Sequence, residues 1–307
     1  MYVTPVCNLT CPHCYYDALT RRSRPQSELS LQQIGGILTD LCDRFDADIS
    51  LEGGELFLRP GIESLLEGLS PEVLRTLTIT TNGTLPIKVR PGTLRAVRDL
   101  RISIDGHTDV LQKELRGVAL RPVLRTCSRL AAQKVPFTIR TTIWSKNVDR
   151  IADMLGWAAD NGLDRLSLFE FQASGRGRET YDAWGVSDGQ FDSLMRQLLT
   201  VPLPDSLELL KISFNATRVP PVQLLARQLV ARGFAVRELA PVANCTINFD
   251  GEVGISPWRI TATGAPDVFA RAQSEHLMET IAGAMVGGQL EDRSGSISRV
   301  QLLYERN

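Results

Sequence analysis

Three cysteines, Cys7, Cys11 and Cys14, carry the most specific chemistry in this chain, in the run Cys7-Asn8-Leu9-Thr10-Cys11-Pro12-His13-Cys14-Tyr15-Tyr16. Spacings of four and three put three thiolates on one short loop, in a segment too polar and turn-prone to be core. Thiolates so placed can converge on one metal centre, and they are one ligand short of a closed four-coordinate site. A structural zinc or a closed iron–sulfur site takes a fourth protein ligand. A catalytic metal site keeps that position open for substrate. The alternative is three free or zinc-binding cysteines.

The elements that must hold this loop follow a regular alternation. Met1 to Val6 reads as a short strand delivering the loop at its C-terminal end, and residues 17–28 as an exposed connection. Ser30 caps a helix with Leu31, Ile34, Ile37, Leu38, Leu41 and Cys42 at helical spacing. Strands are expected at 47–51, 74–80, 100–104, 136–143 and 166–171, with helices at 62–69, 93–100, 122–134 and 148–161 between them. Such β-then-α units argue for an α/β fold with parallel strands and crossover helices, either a barrel or a doubly wound sheet. Cys7, Gly53-Gly54-Glu55, Asn82-Gly83, Asp105-Gly106 and Gly175-Arg176-Gly177 all fall at or just beyond successive strand ends. That edge carries the chemistry in both architectures. From about residue 187 the pattern changes to helix 191–199, strand 207–214, helix 221–232, strand 235–238, a hairpin turning on Asp250-Gly251, and a helix over 268–286.

Composition excludes several functions. The 307 residues are 43% apolar and carry 34 Lys+Arg against 35 Asp+Glu, a net charge of −1. Neither nucleic acid nor an anionic membrane is therefore an expected partner. No signal peptide or membrane-spanning run is visible. Half of the six cysteines lie within eight residues of a long chain, which suits a reducing, cytoplasmic address better than a disulfide scaffold. Cys42 and Cys127 fall on apolar helical stripes, and core packing is their simplest role.

The C-x-x-x-C-x-x-C spacing resembles the signature of the radical S-adenosylmethionine (SAM) enzymes. The resemblance extends in order through Gly53-Gly54-Glu55, Ser103-Ile104-Asp105-Gly106 and Gly175-Arg176-Gly177. It implies a partial (β/α)6 TIM-like barrel over residues 1–186. Residues 187–307 would form a small C-terminal α+β extension packed on it. Cys7, Cys11 and Cys14 would hold one four-iron four-sulfur (4Fe-4S) cluster, whose fourth iron binds the methionine moiety of SAM. Gly53, Gly54 and Glu55 would present backbone and carboxylate to the SAM amino group, although Leu56 stands where the family usually has proline. Asn82, Ser103 and Asp105 would lie with the SAM contacts, and His13 would pack near the adenine. Asp105 satisfying its own turn is an equal alternative. Arg140, a charge inside the strand Phe137-Thr138-Ile139-Arg140-Thr141-Thr142, needs an anionic partner. The resemblance offers the SAM carboxylate or ribose.

The run from Asn244 to Trp258 looks like the start of a SPASM extension, the auxiliary-cluster module of peptide-modifying members. Trp258 stands where a second cysteine is expected and no cysteine follows, so a remnant without an auxiliary cluster is expected. That leaves Cys245 either as a small residue beginning a strand or as a hydrogen-atom donor. The resemblance thus implies that SAM is reductively cleaved to methionine and a 5′-deoxyadenosyl radical, with electrons from an external flavodoxin- or ferredoxin-type donor. A peptide is the preferred substrate, modified by epimerisation, cross-linking or a related change. Against it, a barrel beginning at residue 1 leaves no room for the leader-binding domain that many such enzymes carry. The alternatives are a small-molecule substrate in cofactor or antibiotic biosynthesis, and a non-catalytic iron–sulfur module sensing metal or redox state.

Overall fold

The computed structural model describes residues 1–20, 27–238, 245–254, 268, 270–272, 276–286 and 300–306. The elements run Val6–Cys7 (β1), Leu19–Thr20 (β2), Leu31–Arg44 (α1), Ile49–Leu51 (β3), Ile62–Gly68 (α2), Pro71–Thr76 (α3), Leu77–Thr81 (β4), Pro91–Ala96 (α4) and Asp99–Ser103 (β5). Asp109–Arg116 (α5), Leu120–Ala132 (α6), Thr138–Ile143 (β6), Ile151–Asp160 (α7), Arg165–Glu170 (β7), Gly177–Trp184 (α8) and Asp188–Thr200 (α9) follow. The remainder is Leu209–Phe214 (β8), Val219–Leu224 (α10), Ala226–Ala231 (α11), Ala235–Glu238 (β9), Thr246–Ile247 (β10), Glu252–Gly254 (β11), Ala270–Arg271 (β12), Leu277–Val286 (α12) and Val300–Glu305 (β13).

β3 to β8 form one parallel run in sequence order, and β13 and β9 extend it antiparallel. Residues 1–6 lie beside β3 as a further parallel segment. Val3 donates to the Glu52 carbonyl (3.0 Å), Gly54 to Thr4 (2.8 Å) and Glu55 to Val6 (2.9 Å). The result is a partial barrel built on a parallel α/β sheet.

Strict alternation gives that sheet two unlike faces. Leu77, Ile79, Leu100, Ile102, Ile139, Leu166, Leu168, Leu210 and Ile212 are buried in the core with Ile34, Leu38, Val123, Leu130, Ile151 and Leu155 of the covering helices. The intervening residues are mostly polar, namely Thr78, Thr80, Asp99, Arg101, Ser103, Thr138, Arg140, Thr142, Ser167, Lys211 and Ser213, with Phe169 and Leu209 as apolar exceptions. Parallel strands covered on both faces read as continuous apolar runs. A polar second face therefore marks a surface for ligand rather than for packing.

The structure departs from the sequence expectations at definable points. Leu74–Thr76 close α3 instead of opening a strand, because Ser70 caps that helix and Pro71 occupies its first turn. Helices α5 and α8 were not anticipated, while the single helix expected over 221–232 is two short ones. Within 17–28, Leu19–Thr20 pairs with β1 rather than lying free, and residues 21–26 fall outside the described residues. The Asp250-Gly251 hairpin is present, with Gly251 at φ +85°, but β12 joins it as a third strand where a helix was expected. Residues 255–258, including Trp258, lie outside the described residues, as does Asn244. The sheet does not end near residue 186, because β8 pairs with β7 and carries β13 and β9. Among the described residues no helix is long and apolar enough to cross a membrane.

Candidate active site

β1 ends in Cys7, and the loop beyond it turns back against the C-terminal edge of the sheet. The Cys7 sulfur accepts from Leu9 N (3.4 Å), and the Cys14 sulfur from Ala18 N (3.4 Å). The Cys11 thiol points at the Arg116 carbonyl (3.9 Å). The three thiols lie in one another's fields. Burial, opposed by the Arg116 cation and reinforced by Cys14 and Cys7, pushes Cys11 up to about 12. Burial also raises Cys7. A bound metal centre would displace these protons.

Four contacts fix the loop. The first is Gly53-Gly54. A Cβ on Gly54 would lie 2.2 Å from the Val6 carbonyl oxygen, and one on Gly53 (φ +148°) would lie 2.3 Å from that of Thr4. The close approach that these glycines permit is therefore to the cysteine-bearing strand itself.

Glu55 makes the second contact. Its buried carboxylate accepts from Thr81 Oγ1 (2.6 Å), Asn82 N (2.7 Å) and Phe57 N (3.2 Å). In this state it ties two strand ends together. It also places Asn82, whose Nδ2 donates to Asn8 Oδ1 (2.9 Å) and reaches the Cys7 sulfur (3.8 Å).

Gly175-Arg176 supplies the third. With Gly175 at φ +53°, Arg176 N donates to the Cys14 carbonyl (3.0 Å), and Arg176 Nε to the Cys11 carbonyl (3.1 Å). Arg176 Nη1 adds Ala18 O (2.8 Å) and Asp17 (3.1 Å).

The fourth runs through His13, whose Nε2 faces at 3.5 Å the buried carboxylate of Asp105, itself accepting from Thr142 N (2.6 Å) and paired with Arg116. His13 Nδ1 donates to Leu115 O (3.2 Å). Burial, against the pull of Asp105, lowers the ring to about 4, so it is neutral at pH 7.

Arg140 finds its anion within the chain. Its Nη1 lies 3.0 Å from Glu52 Oε1, and its guanidinium stacks 4.6 Å from the Phe169 ring centroid. Glu52 thus supplies an anion from within the chain, beside the SAM carboxylate or ribose that the resemblance offers. Glu52 also accepts from Tyr15, whose hydroxyl meets that of Tyr2 at 2.5 Å. Burial pushes the Glu52 carboxyl up, but Arg140 and Tyr15 outweigh it and hold it below the usual range. Ser103 is buried in register with Arg140. Cys245 lies beside the Met1 amino group, at the far end of the N-terminal segment from Cys7. Six residues of extended chain put that separation at roughly 20 Å. Cys245 is half-buried and packs against the main core cluster.

Sequence reasoning missed Glu52, Arg116 and Tyr15. Glu52 was detectable as a charge on the polar face of its strand, whereas nothing local marks Arg116. Arg116→Gln should destabilise the fold by about 3–5 kcal/mol, because it strands the buried Asp105 carboxylate. Adding Asp105→Asn should recover part of that loss, as measured by denaturant unfolding in a double-mutant cycle.

The donor set fits the implied cluster. Cys42 and Cys127 pack on helices and Cys245 lies away, so three sulfurs are offered and no fourth. Among the described residues no three His, Cys, Asp or Glu side chains meet at a single ion. A 4Fe-4S cluster takes each thiolate on a different iron. On the same rim the buried hydroxyls of Thr142 and Ser174 have no hydrogen-bond partner among the described residues, which suits a polar ligand.

Comparison with known families settles the class. Residues 1–158 match the Radical SAM superfamily. The chain belongs to this family. With the family come its cofactors, a 4Fe-4S cluster and SAM. The AdoMet-dependent heme synthase of Methanosarcina barkeri is 26% identical over 230 residues, covering 74% of this chain and 63% of that protein. The sporulation killing factor maturation protein SkfB of Bacillus subtilis is 27% identical over 193 residues, covering 61% and 45%. This radical SAM chain thus spans about half to two-thirds of the length of these relatives. Its fold is similar to that of anSMEcpe, solved with bound AdoMet and the Cp18Cys peptide, at a TM-score of 0.62 and 14% identity over 96% of this chain and 82% of that one.

Proposed function

We propose that this chain cleaves SAM reductively and directs the resulting radical at a peptide, altering a side chain or backbone position by epimerisation, cross-linking or a related change. The observation that carries the reading is the three-thiol loop clamped at the C-terminal edge of the parallel sheet, beside a polar face. The bound cofactors supply one-electron cleavage of the S–C5′ bond and a 5′-deoxyadenosyl radical that takes a substrate hydrogen. Residues of the chain do the rest. Cys7, Cys11 and Cys14 are the ligands, and Gly53, Gly54, Glu55 and Asn82 set the Cys7 strand against β4. The Leu115 carbonyl fixes the position of His13, Arg116 holds Asp105 beside it, and Ser103, Thr142 and Ser174 offer polar atoms to SAM. Arg140, held by Glu52 and Phe169, lines the wall. Burial of Cys7 and Cys11 would limit the access of water to a reactive intermediate. An external one-electron donor of the flavodoxin or ferredoxin class completes the cycle.

A peptide is favoured by the extent of the polar face. From β3 to β8 it runs about 24 Å across the strands, the length of about seven extended residues. SkfB is by its name the maturation protein of a sporulation killing factor, and the PqqA peptide cyclase of Streptomyces rochei, 26% identical over 188 residues, acts by its name on a peptide, which points the same way. The longer match to the heme synthase favours a small-molecule substrate as the second reading. Incubating the reconstituted, reduced protein with SAM and candidate precursor peptides, and following substrate mass and deuterium transfer into 5′-deoxyadenosine, separates the two. Label transfer from a small molecule but from no peptide would reject the first.

A further inference from the structure

The polar face carries one cation that the chain's own described residues do not neutralise. In register across the sheet run Ser103, Arg140, Ser167 and Lys211. Arg140 is neutralised by Glu52, and one strand row away Arg101 by Asp99 (2.7 Å). Asp99 is further committed to Thr138 Oγ1 (2.8 Å). Lys211, by contrast, has neither a hydrogen bond nor an ion pair among the described residues, though it is half-buried. Its side chain lies on the polar face, because its neighbours Leu210 and Ile212 are in the core on the other. Burial and the fields of Arg101 and Arg140 lower its pKa, with Asp99 opposing. An ammonium in a cationic surround, partly stripped of water and given no counter-ion, is costly unless something else supplies the anion.

We infer that Lys211 is the anchor for a carboxylate of the substrate, one supplied by an acidic side chain or a C-terminus in a peptide. This rests on the radical SAM reading of the cleft. A monoanion is indicated because one uncompensated cation is offered, flanked by Ser167 and Ser213 on the same face. A phosphate dianion is served by several cations or a fork of donors. Two strand spacings separate Lys211 from Arg140, about 10 Å. The anchored group would thus be held to one side of the cysteine loop, and the reacting carbon would lie several bonds from that carboxylate. Such an anchor selects which residue of a peptide is presented.

The test needs no turnover, so its failure is read separately from failure of the SAM-cleavage assay. The reconstituted, oxidised protein is reductively methylated with 13C, and the Lys211 dimethylamine resonance is assigned by its loss in Lys211→Met. It is then titrated with N-acetylglutamate and, separately, with inorganic phosphate. The expected result is a saturable shift of that resonance with the carboxylate. Affinity should fall at least about tenfold in Lys211→Met, read by calorimetry, and stay within about threefold in Lys211→Arg. The exposed Lys88→Met serves as a control with unchanged affinity. Equal carboxylate affinity in Lys211→Met, or a shift with phosphate and none with carboxylate, overturns the assignment. Loss of binding in Lys211→Arg despite an unchanged melting temperature would also overturn it.

Discussion

Replacing Cys11 by alanine should lower formation of 5′-deoxyadenosine from SAM by roughly 10³-fold or more, a barrier change of at least about 4 kcal/mol. The reason is the donor count. The loop offers Cys7, Cys11 and Cys14, and none of the remaining cysteines is placed to substitute: Cys42 and Cys127 pack on helices and Cys245 lies beside Met1. With two thiolates left, a cubane cluster keeps two protein-free irons, and its retention in the protein should fall with activity. The fold should survive, because Cys11 contributes little packing beyond its own small side chain. Iron content, 5′-deoxyadenosine yield and the melting temperature of the same preparation report these three quantities. Full activity in Cys11→Ala would remove the cluster from the account.

The second large effect is expected from a residue that carries no side chain. Gly175→Ala should cost about 3 kcal/mol and empty the cluster site although every cysteine is retained. Part of the cost is the left-handed backbone at φ +53°. The rest is collision, since the new Cβ would sit 2.3 Å from Tyr15 O and 2.4 Å from Cys14 O, both backbone atoms that cannot swing aside. Relief requires Gly175 and the cysteine loop to separate, which breaks the bonds from Arg176 to Cys14 O and Cys11 O. Gly156→Ala, in a helix with nothing within 4 Å of the added carbon, is the matched control and should be neutral or slightly stabilising. The readouts are iron per chain after reconstitution and the melting temperature. Normal iron loading in Gly175→Ala would show that the clamp is not needed.

Much of this site could be read from the sequence because its determinants are local. Cysteine spacing, paired glycines and strand-end turns each occupy a few consecutive residues. Alternation and helical spacing located the parallel strands well enough to put these motifs on one edge. What escaped depends on pairing between distant segments. Arg140 was recognisable as a buried charge, but only the register of β6 against its neighbours shows that Glu52, 88 positions away, neutralises it. Arg116 sits on an amphipathic helix where an arginine is ordinary, and its bond to Asp105 arises from the turn that folds α5 back under β5. β13 joins the sheet between β8 and β9 from the far end of the chain, a placement that local pattern does not encode. Gly53 and Gly54 carry a requirement beyond the one the motif suggested. They admit the chain's own cysteine strand, a requirement visible only once Thr4 and Val6 are seen against them.

The central claim is that the three-cysteine loop holds one 4Fe-4S cluster that serves SAM cleavage. Anaerobic reconstitution followed by iron and sulfide analysis, reduction, and quantification of 5′-deoxyadenosine tests it most directly. The account predicts about four irons per chain and SAM-dependent 5′-deoxyadenosine on reduction. Iron well above four would contradict the single cluster, and a fully loaded, reduced protein that leaves SAM intact would contradict the function.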